Sequence, residues 1–212
     1  MQLTAVFETW HIGDGNYPPL RKGQLVNLSF ELEPHSLSKS TSLNDSKFEQ
    51  IKDAEYSFAG TVLRIYPDPP SSPIVVVQAG DFHFYMNSFP PGTASLGEGD
   101  ACEGYGRLLL DHYIWVEFLD SYDDPPNLFY PLRLTRIRSV KIPNSLISRS
   151  EKGMSGATSC SPDVYSTSAI GDVERMENVD NDWLFYLVDF DDSTVGAARI
   201  PLTFRSRVSD IC

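Results

Sequence analysis

Proline and glycine recur along the whole chain, and this distribution most limits how the chain can fold. The sequence has 15 prolines and 14 glycines in 212 residues, so turns are frequent and long helices are not expected. It also has 10 tyrosines and 12 phenylalanines, and aromatic side chains favour strands. The apolar fraction of 41% is that of a folded protein. The sequence therefore predicts many short strands around a core.

The clearest strand signal lies in residues 22–34. Val26, Leu28, Phe30 and Leu32 alternate with polar residues, which predicts one buried and one solvated face, and Pro34 is expected to end the strand. Further strands are predicted over the following ranges: 3–12, 56–66, 74–87, 106–119, 127–143 and the hairpin 183–204. Roughly eight strands result.

Two irregular features belong to this pattern. In the strand 127–143 the apolar phase slips, and a β-bulge near Thr135 and Arg136 would explain the slip. The one short helix is predicted to begin at Ser46, which forms an S-x-x-E capping box with Glu49, and to carry Phe48 and Ile51 on one apolar face.

These elements predict an all-β, mostly antiparallel fold: a small bent β-barrel or sandwich with one short helix and a C-terminal hairpin. Four glycines lead into and through one long strand and would let it coil and bend at a corner: Gly97, Gly99, Gly104 and Gly106. They favour the barrel over the sandwich.

The chain is predicted to form one domain with three parts. Residues 1–143 make the β-barrel body, and residues 144–180 are a polar, serine-rich excursion, either partly ordered or a flexible connector. Residues 181–212 contain the C-terminal β-hairpin, from Trp183 to Phe204. A two-stranded hairpin is marginal alone, so it is expected to pack on the body.

Cysteine usage and the absence of targeting signals predict a cytoplasmic location. The three cysteines are far apart and match neither a disulfide framework nor a paired metal signature. No basic n-region or lasting apolar run precedes Glu8, and no stretch approaches the roughly 18 apolar residues of a membrane span.

The formal net charge of −12, for which solubility is the favoured explanation, is the strongest global signal in the sequence. It repels nucleic acid and anionic lipid and would steer a basic protein partner. Acidic residues at predicted turns, interleaved with aromatics, form the predicted partner-binding set, in which aromatic anchors supply affinity and charge supplies rate: Asp120, Tyr122, Asp123, Asp124, Glu177, Asp180, Asp182, Trp183, Asp191 and Asp192.

One strand is basic. Arg133, Arg136, Arg138 and Lys141 lie close to two aromatic residues, as in a platform for single-stranded nucleic acid. Because the whole chain is acidic, ion pairs with neighbouring carboxylates are the preferred interpretation.

Asp81 and His83 are the candidate catalytic residues. On a single strand they share a face opposite Phe82, Phe84 and Met86, and Asp81 could orient His83 for acid–base chemistry. A solvated cross-strand pair is the favoured alternative, because catalysis also needs a nucleophile or a substrate pocket.

A metal site at Asp81, His83 and Glu117 would need two adjacent strands with matching faces. Zinc sites usually draw on better-spaced histidines or cysteines, and His112 is expected to be a buried or boundary histidine. No metal and no cofactor is predicted.

The sequence therefore favours a non-enzymatic cytoplasmic protein that captures a basic protein partner, in its concrete version an immunity-type inhibitor of a toxin. The alternative is a barrel of the oligonucleotide-binding type that binds single-stranded nucleic acid or a small ligand. The third candidate is a hydrolase-like enzyme that uses Asp81 and His83.

Overall fold

Strands dominate the computed structural model, which describes residues 2–15, 17–41, 46–67, 72–111, 119, 122, 127–141, 169–177 and 184–191. The strands are β1 (Gln2–Glu8), β2 (Leu25–Leu28), β3 (Phe30–Lys39), β4 (Lys47–Lys52), β5 (Glu55–Tyr66), β6 (Ile74–Ala79), β7 (Phe82–Met86), β8 (Ala101–Leu110), β9 (Tyr130–Lys141), β10 (Ala169–Val173) and β11 (Leu184–Asp191), with one helix, α1 (Trp10–Gly13), after β1. The predicted all-β class with one short helix is confirmed.

A closed five-stranded barrel lies at the centre of the fold. Strand β8 pairs antiparallel with β3 on one edge and with β5 on the other. β5 continues the circle to β6, and β6 continues it to β7. The circle closes where β7 runs parallel to β3, at the pair Glu31 and Tyr85.

Two glycines in β8 let the barrel close tightly. Gly104 and Gly106 each have partners on both sides, Leu37 and Phe58 for the first and Pro34 and Tyr56 for the second. A Cβ atom on either glycine would overlap a backbone carbonyl oxygen of β3. The expected bending of this strand therefore rests on the absence of a side chain where two backbones approach.

The remaining strands extend the sheet beside the barrel. β1 joins β8 in parallel at Val6 and Leu109, and β11 lies antiparallel between β1 and β9. The other edge of β9 pairs with β2 and with β10. β2 leads through Ser29 directly into β3, so one stretch of chain serves both parts of the sheet.

Both parts of the sheet contribute to one hydrophobic core. Phe58 and Phe84 of the barrel belong to the same buried cluster as Phe7, Leu134 and Val188 of the other strands. The predicted bulge is confirmed: Asp189 pairs with Arg136 whereas Phe190 pairs with Leu134, so Thr135 is the additional residue. The bulge lets both Leu134 and Ile137 face the core.

The predicted helix near residue 46 is wrong, because residues 47–52 form β4. Ser46 does not cap a helix; its hydroxyl accepts a hydrogen bond from the Gly80 amide. Phe48 packs on Tyr56 with ring centroids 4.5 Å apart, whereas Ile51 is 59% exposed. Tertiary pairing with β5 therefore overrides the local capping signal.

Three strand boundaries also differ from the prediction. Pro34 does not end its strand, because β3 absorbs it at a register shift between Pro34 and Ser36 and continues to Lys39. The predicted strand 3–12 ends at Glu8 and is followed by α1. The predicted strand 74–87 is two strands, β6 and β7, joined by a tight turn at Gly80 and Asp81.

The C-terminal part of the chain is described in two segments. Within the serine-rich region, residues 169–177 are described; they include β10 and Met176, which is buried in the core. Of the predicted C-terminal hairpin, β11 is paired with β1 and β9, and the second strand lies outside the described residues. Residues 112–118 of the predicted strand 106–119 also lie outside them.

No helix in the described part of the chain is long and apolar enough to cross a membrane.

Gly106→Ala is expected to lower the free energy of unfolding by about 3 kcal/mol, since its methyl group would overlap the Glu33 carbonyl and Pro34. Gly97→Ala is the control, because a Cβ atom there would make only an ordinary contact with Asp100. The urea midpoints of both variants measure the difference. Equal midpoints would contradict the close approach of the β8 and β3 backbones at Gly106.

The imidazole of His11 in α1 lies within an aromatic cluster. Its ring stacks on Trp10 at 3.7 Å and meets Tyr17 edge-on at 5.4 Å and Phe7 at 5.5 Å. Burial lowers the pKa of His11 to about 3, because the apolar surroundings disfavour the imidazolium. The neutral ring therefore serves as a packing element.

Acid is expected to destabilise the protein through His11. The unfolded histidine binds its proton near its ordinary pKa of 6.5 and the folded one near 3, so stability is lost as the pH falls through this window, by about 2 kcal/mol between pH 7 and pH 5. Burial raises the pKa of Glu31, which acts in the opposite direction in the same window. Urea unfolding of the wild type and of His11→Phe at both pH values measures the contribution of His11 to the change in the free energy of unfolding. An equal change in the two proteins would contradict this contribution.

Candidate functional site

A groove of about 600 Å³ opens where strands from both parts of the sheet meet. Its walls come from the start of β1, from β4 and β5, from the β6–β7 turn and from the start of β9. The lining residues are Gln2, Leu3, Phe48, Gln50, Tyr56, Ala79, Gly80, Asp81, Phe82, Tyr130, Pro131 and Leu132. Volumes of this size are typical of small-ligand sites.

Four aromatic rings line the groove as two stacked pairs. Phe48 lies on Tyr56 with an interplanar angle of 12° and a centroid distance of 4.5 Å, and Phe82 lies on Tyr130 at 29° and 5.1 Å. The pairs meet where Phe48 approaches Phe82 at 4.6 Å. Phe48 and Tyr130 are half-buried, while Tyr56 and Phe82 are buried, so the groove has an aromatic floor and an accessible aromatic wall.

Backbone hydrogen bonds hold both tyrosine hydroxyls. The Tyr56 hydroxyl accepts from the Thr4 amide at 2.8 Å and donates to the Thr4 carbonyl at 3.1 Å. The Tyr130 hydroxyl accepts from the His83 amide at 2.6 Å and lies 3.4 Å from the His83 carbonyl, to which it donates. These bonds fix the rings, and each hydroxyl proton is used inside the protein.

The amide of Gln50 is oriented in the same way. Its Nε2 donates to the Thr4 hydroxyl at 3.1 Å and to the Asp53 carbonyl. Both amide hydrogens are thus used, and the remaining hydrogen-bonding capacity of this side chain is that of an acceptor, Oε1.

Asp81 is the one charged residue among the described residues that line the groove. It occupies the second position of the two-residue turn between β6 and β7, and Gly80 before it has a positive φ of 59°. A two-residue hairpin turn favours glycine at such a position. The turn holds the exposed Asp81 at the rim of the groove.

His83 does not line the groove, although its backbone anchors Tyr130. Partial burial lowers the pKa of its imidazole, and the negative charge of Asp81 opposes this effect. Asp81 belongs to the turn and His83 to β7. Phe82, Phe84 and Met86 face the core as predicted.

The outer face of the barrel beside His83 is partly covered. Tyr85, expected with the polar set, is fully buried against Leu119 and Leu128, and its hydroxyl donates to the Asp111 carbonyl at 2.9 Å. Residues that follow β8 in the chain therefore cover Tyr85, which the alternating pattern of the strand predicted to be solvated.

The described residues contain no group of three or more histidines, cysteines or carboxylates suited to a metal ion. His112 and Glu117, considered for a zinc site with Asp81 and His83, lie outside the described residues.

The basic strand β9 is engaged in ion pairs. The guanidinium of Arg138, with 13% of its side chain exposed, donates to Asp53 and to Asp189, both at 2.8 Å. Arg136 binds both carboxylate oxygens of Asp172 on β10, and the pair raises the pKa of Arg136. Arg133 is partly buried opposite Asp191, and Lys141 is exposed at the end of β9.

Three residues of the predicted partner-binding set lie in the described part of the chain. The half-buried Tyr122 packs on Tyr66 at 4.6 Å. Glu177 is exposed and its amide donates to the Tyr186 hydroxyl, and Asp191 ends β11. The other members lie outside the described residues: Asp120, Asp123, Asp124, Asp180, Asp182, Trp183 and Asp192.

Most of the groove was missed in the sequence. Phe48 and Gln50 belong to the segment predicted as a helix, and Gln2, Tyr56 and Pro131 lie in three other strands. The single available signal was the Gly80–Asp81 dipeptide between two apolar runs, which is typical of a hairpin turn.

Searches of protein families, curated proteins and solved structures find no match for this chain.

Arg138→Leu is expected to lower the free energy of unfolding by about 2–3 kcal/mol, because it leaves Asp53 and Asp189 without their shared, largely buried cation. Arg136→Leu is the matched control; its ion pair is more than half exposed and should contribute less than about 1 kcal/mol. Chemical unfolding measures both. A costly Arg136 variant and a silent Arg138 variant would contradict the structural role of this network.

Proposed function

We propose that this protein is a non-enzymatic binding protein that captures a basic protein partner. Its concrete version is an immunity-type inhibitor that blocks a cationic toxin. The observation that carries the proposal is the use of basic side chains within the molecule, which leaves the acid excess for an external cation.

Basic side chains pair internally on several strands. Arg107 is buried and binds Glu33, and Lys39 binds Asp100 at 2.6 Å. Arg138 bridges two carboxylates. Each pair uses one cation and one carboxylate. Because the chain carries 29 acidic and 17 basic residues, the surplus negative charge remains without an internal cation. A field of this sign accelerates encounter with a basic protein.

The alternative, a barrel for single-stranded nucleic acid, draws support from the architecture and from the stacked rings. Small five-stranded barrels include oligonucleotide binders, and aromatic faces stack on bases. The ion pairs of Arg136 and Arg138 weigh against it, because phosphate binding needs available cations. The other form of this alternative is that the groove binds a small ligand; the protein would then also be a non-enzymatic binding protein.

The third hypothesis, a hydrolase-like enzyme that uses Asp81 and His83, has weaker support. Asp81 lies in the β6–β7 turn and lines the groove, whereas His83 lies in β7 and is not a lining residue. Geometry that assembles a nucleophile beside the base would be needed for that chemistry.

A binding experiment with defined probes tests the proposal. An arginine- and lysine-rich peptide is titrated by stopped-flow fluorescence beside a glutamate-rich peptide and single-stranded DNA of similar length. We expect binding of the basic peptide alone, with an association rate that falls steeply with salt. Binding of the DNA without binding of the basic peptide would overturn the proposal.

Charge-matched variants separate a dedicated surface from bulk charge. Asp123→Asn with Asp124→Asn removes two predicted partner contacts, whereas Asp14→Asn with Glu103→Gln removes the same charge at exposed sites elsewhere. The first pair should slow association about fivefold and the second less than about twofold. Equal effects would show attraction without a specific surface.

A further inference from the structure

We propose that the groove beside Asp81 binds an arginine side chain of the basic partner. The inference rests on the proposed function and assigns it a specific site: the cavity between β4, the β6–β7 turn and the first residues of β9. The bound group would be a guanidinium, with its flanking peptide at the rim.

Two tyrosines and Gln50 in the groove are suited to a ligand that donates hydrogen bonds. Both tyrosine hydroxyls give their protons to backbone carbonyls, and the Gln50 amide hydrogens are bound to Thr4 and Asp53. What these groups leave to a ligand is acceptor capacity, to which the Asp81 carboxylate adds the one charge among the described lining residues. A guanidinium has five donors and no acceptor, so its hydrogen-bonding pattern is complementary.

The aromatic walls suit a flat cation for a second reason. The faces of Phe48 and Tyr130 are partly accessible, and the hydrogen bonds from His83 to Tyr130 hold that ring in place. Arginine stacks on aromatic faces and is less strongly hydrated than lysine, so it loses less solvation when it enters such a site.

Charge complementarity selects this occupant. The lining residues that the structure describes include an acid and no base, in a protein whose net charge is −12. An anionic ligand would meet Asp81 without a compensating cation among the described lining residues, and an apolar side chain would make no use of the Asp81 charge. The volume of about 600 Å³ exceeds that of one side chain, which leaves room for the adjoining backbone.

The test is an NMR titration of the full chain with a capped Gly-Arg-Gly peptide and with its citrulline counterpart, which has the same shape without the charge. The arginine peptide should shift the amide signals of Gly80, Asp81 and Gln50, and the citrulline peptide should bind at least about fivefold more weakly, because it cannot form charge-assisted hydrogen bonds. Equal affinities, or shifts confined to other regions, would overturn the inference.

Two variants locate the interaction. Asp81→Asn keeps the shape of the rim and should weaken arginine binding about fivefold or more, and Phe48→Leu should weaken it by removing an accessible ring face. Asp14→Asn, which removes the same charge outside the groove, should leave the affinity unchanged. Similar losses in Asp81→Asn and Asp14→Asn would mean bulk attraction and would overturn the site.

Failure of this inference differs from failure of the proposed function. If the basic peptide binds and the groove variants bind it normally, the function stands and the groove is not its site. If neither the basic peptide nor the arginine peptide binds, the proposed function fails as well.

Discussion

The double pairing of β8 is the interaction on which the rest of the structure depends. At Gly104 and Gly106 this strand has partners in β3 and β5 at once, and the approach of the backbones leaves no room for a Cβ atom. Without the β5 contact the five strands would form an open sheet. Because β5 is held there, β4 crosses beside the barrel and brings Phe48 and Gln50 opposite the β6–β7 turn.

The electrostatics of the molecule follow from how this frame distributes its basic residues. Arg138 sits between Asp53 and Asp189, which joins β9 to the β4–β5 turn and to β11. Cations placed in this way stabilise contacts between strands and contribute little to an external positive patch. Tyr56, Tyr130 and Gln50 leave acceptors in the groove, and the one charge among its described lining residues is negative. Both features favour a cationic partner over a polyanion.

Local patterns in the sequence predicted the strand content and the barrel, because alternation and turn residues act over a few positions. The change of phase in the apolar pattern around Thr135 also predicted the β-bulge in β9. The segment around Phe48 was predicted wrongly since its capping signal competes with pairing to β5, a contact that the local sequence does not encode. The groove was missed because its walls come from separate strands, and Asp81 was placed on a strand because the apolar runs on either side of Gly80 were joined into one.

Cross-strand NMR contacts between β5 and β8 test the closure of the barrel most directly. In a closed barrel the backbone protons of Phe58 lie beside those of Gly104, and those of Tyr56 beside those of Gly106, as their pairing requires. The account predicts strong nuclear Overhauser effects for both pairs, together with those between β8 and β3. Their absence, with the β3 contacts intact, would mean an open sheet and would contradict the frame from which the groove was derived.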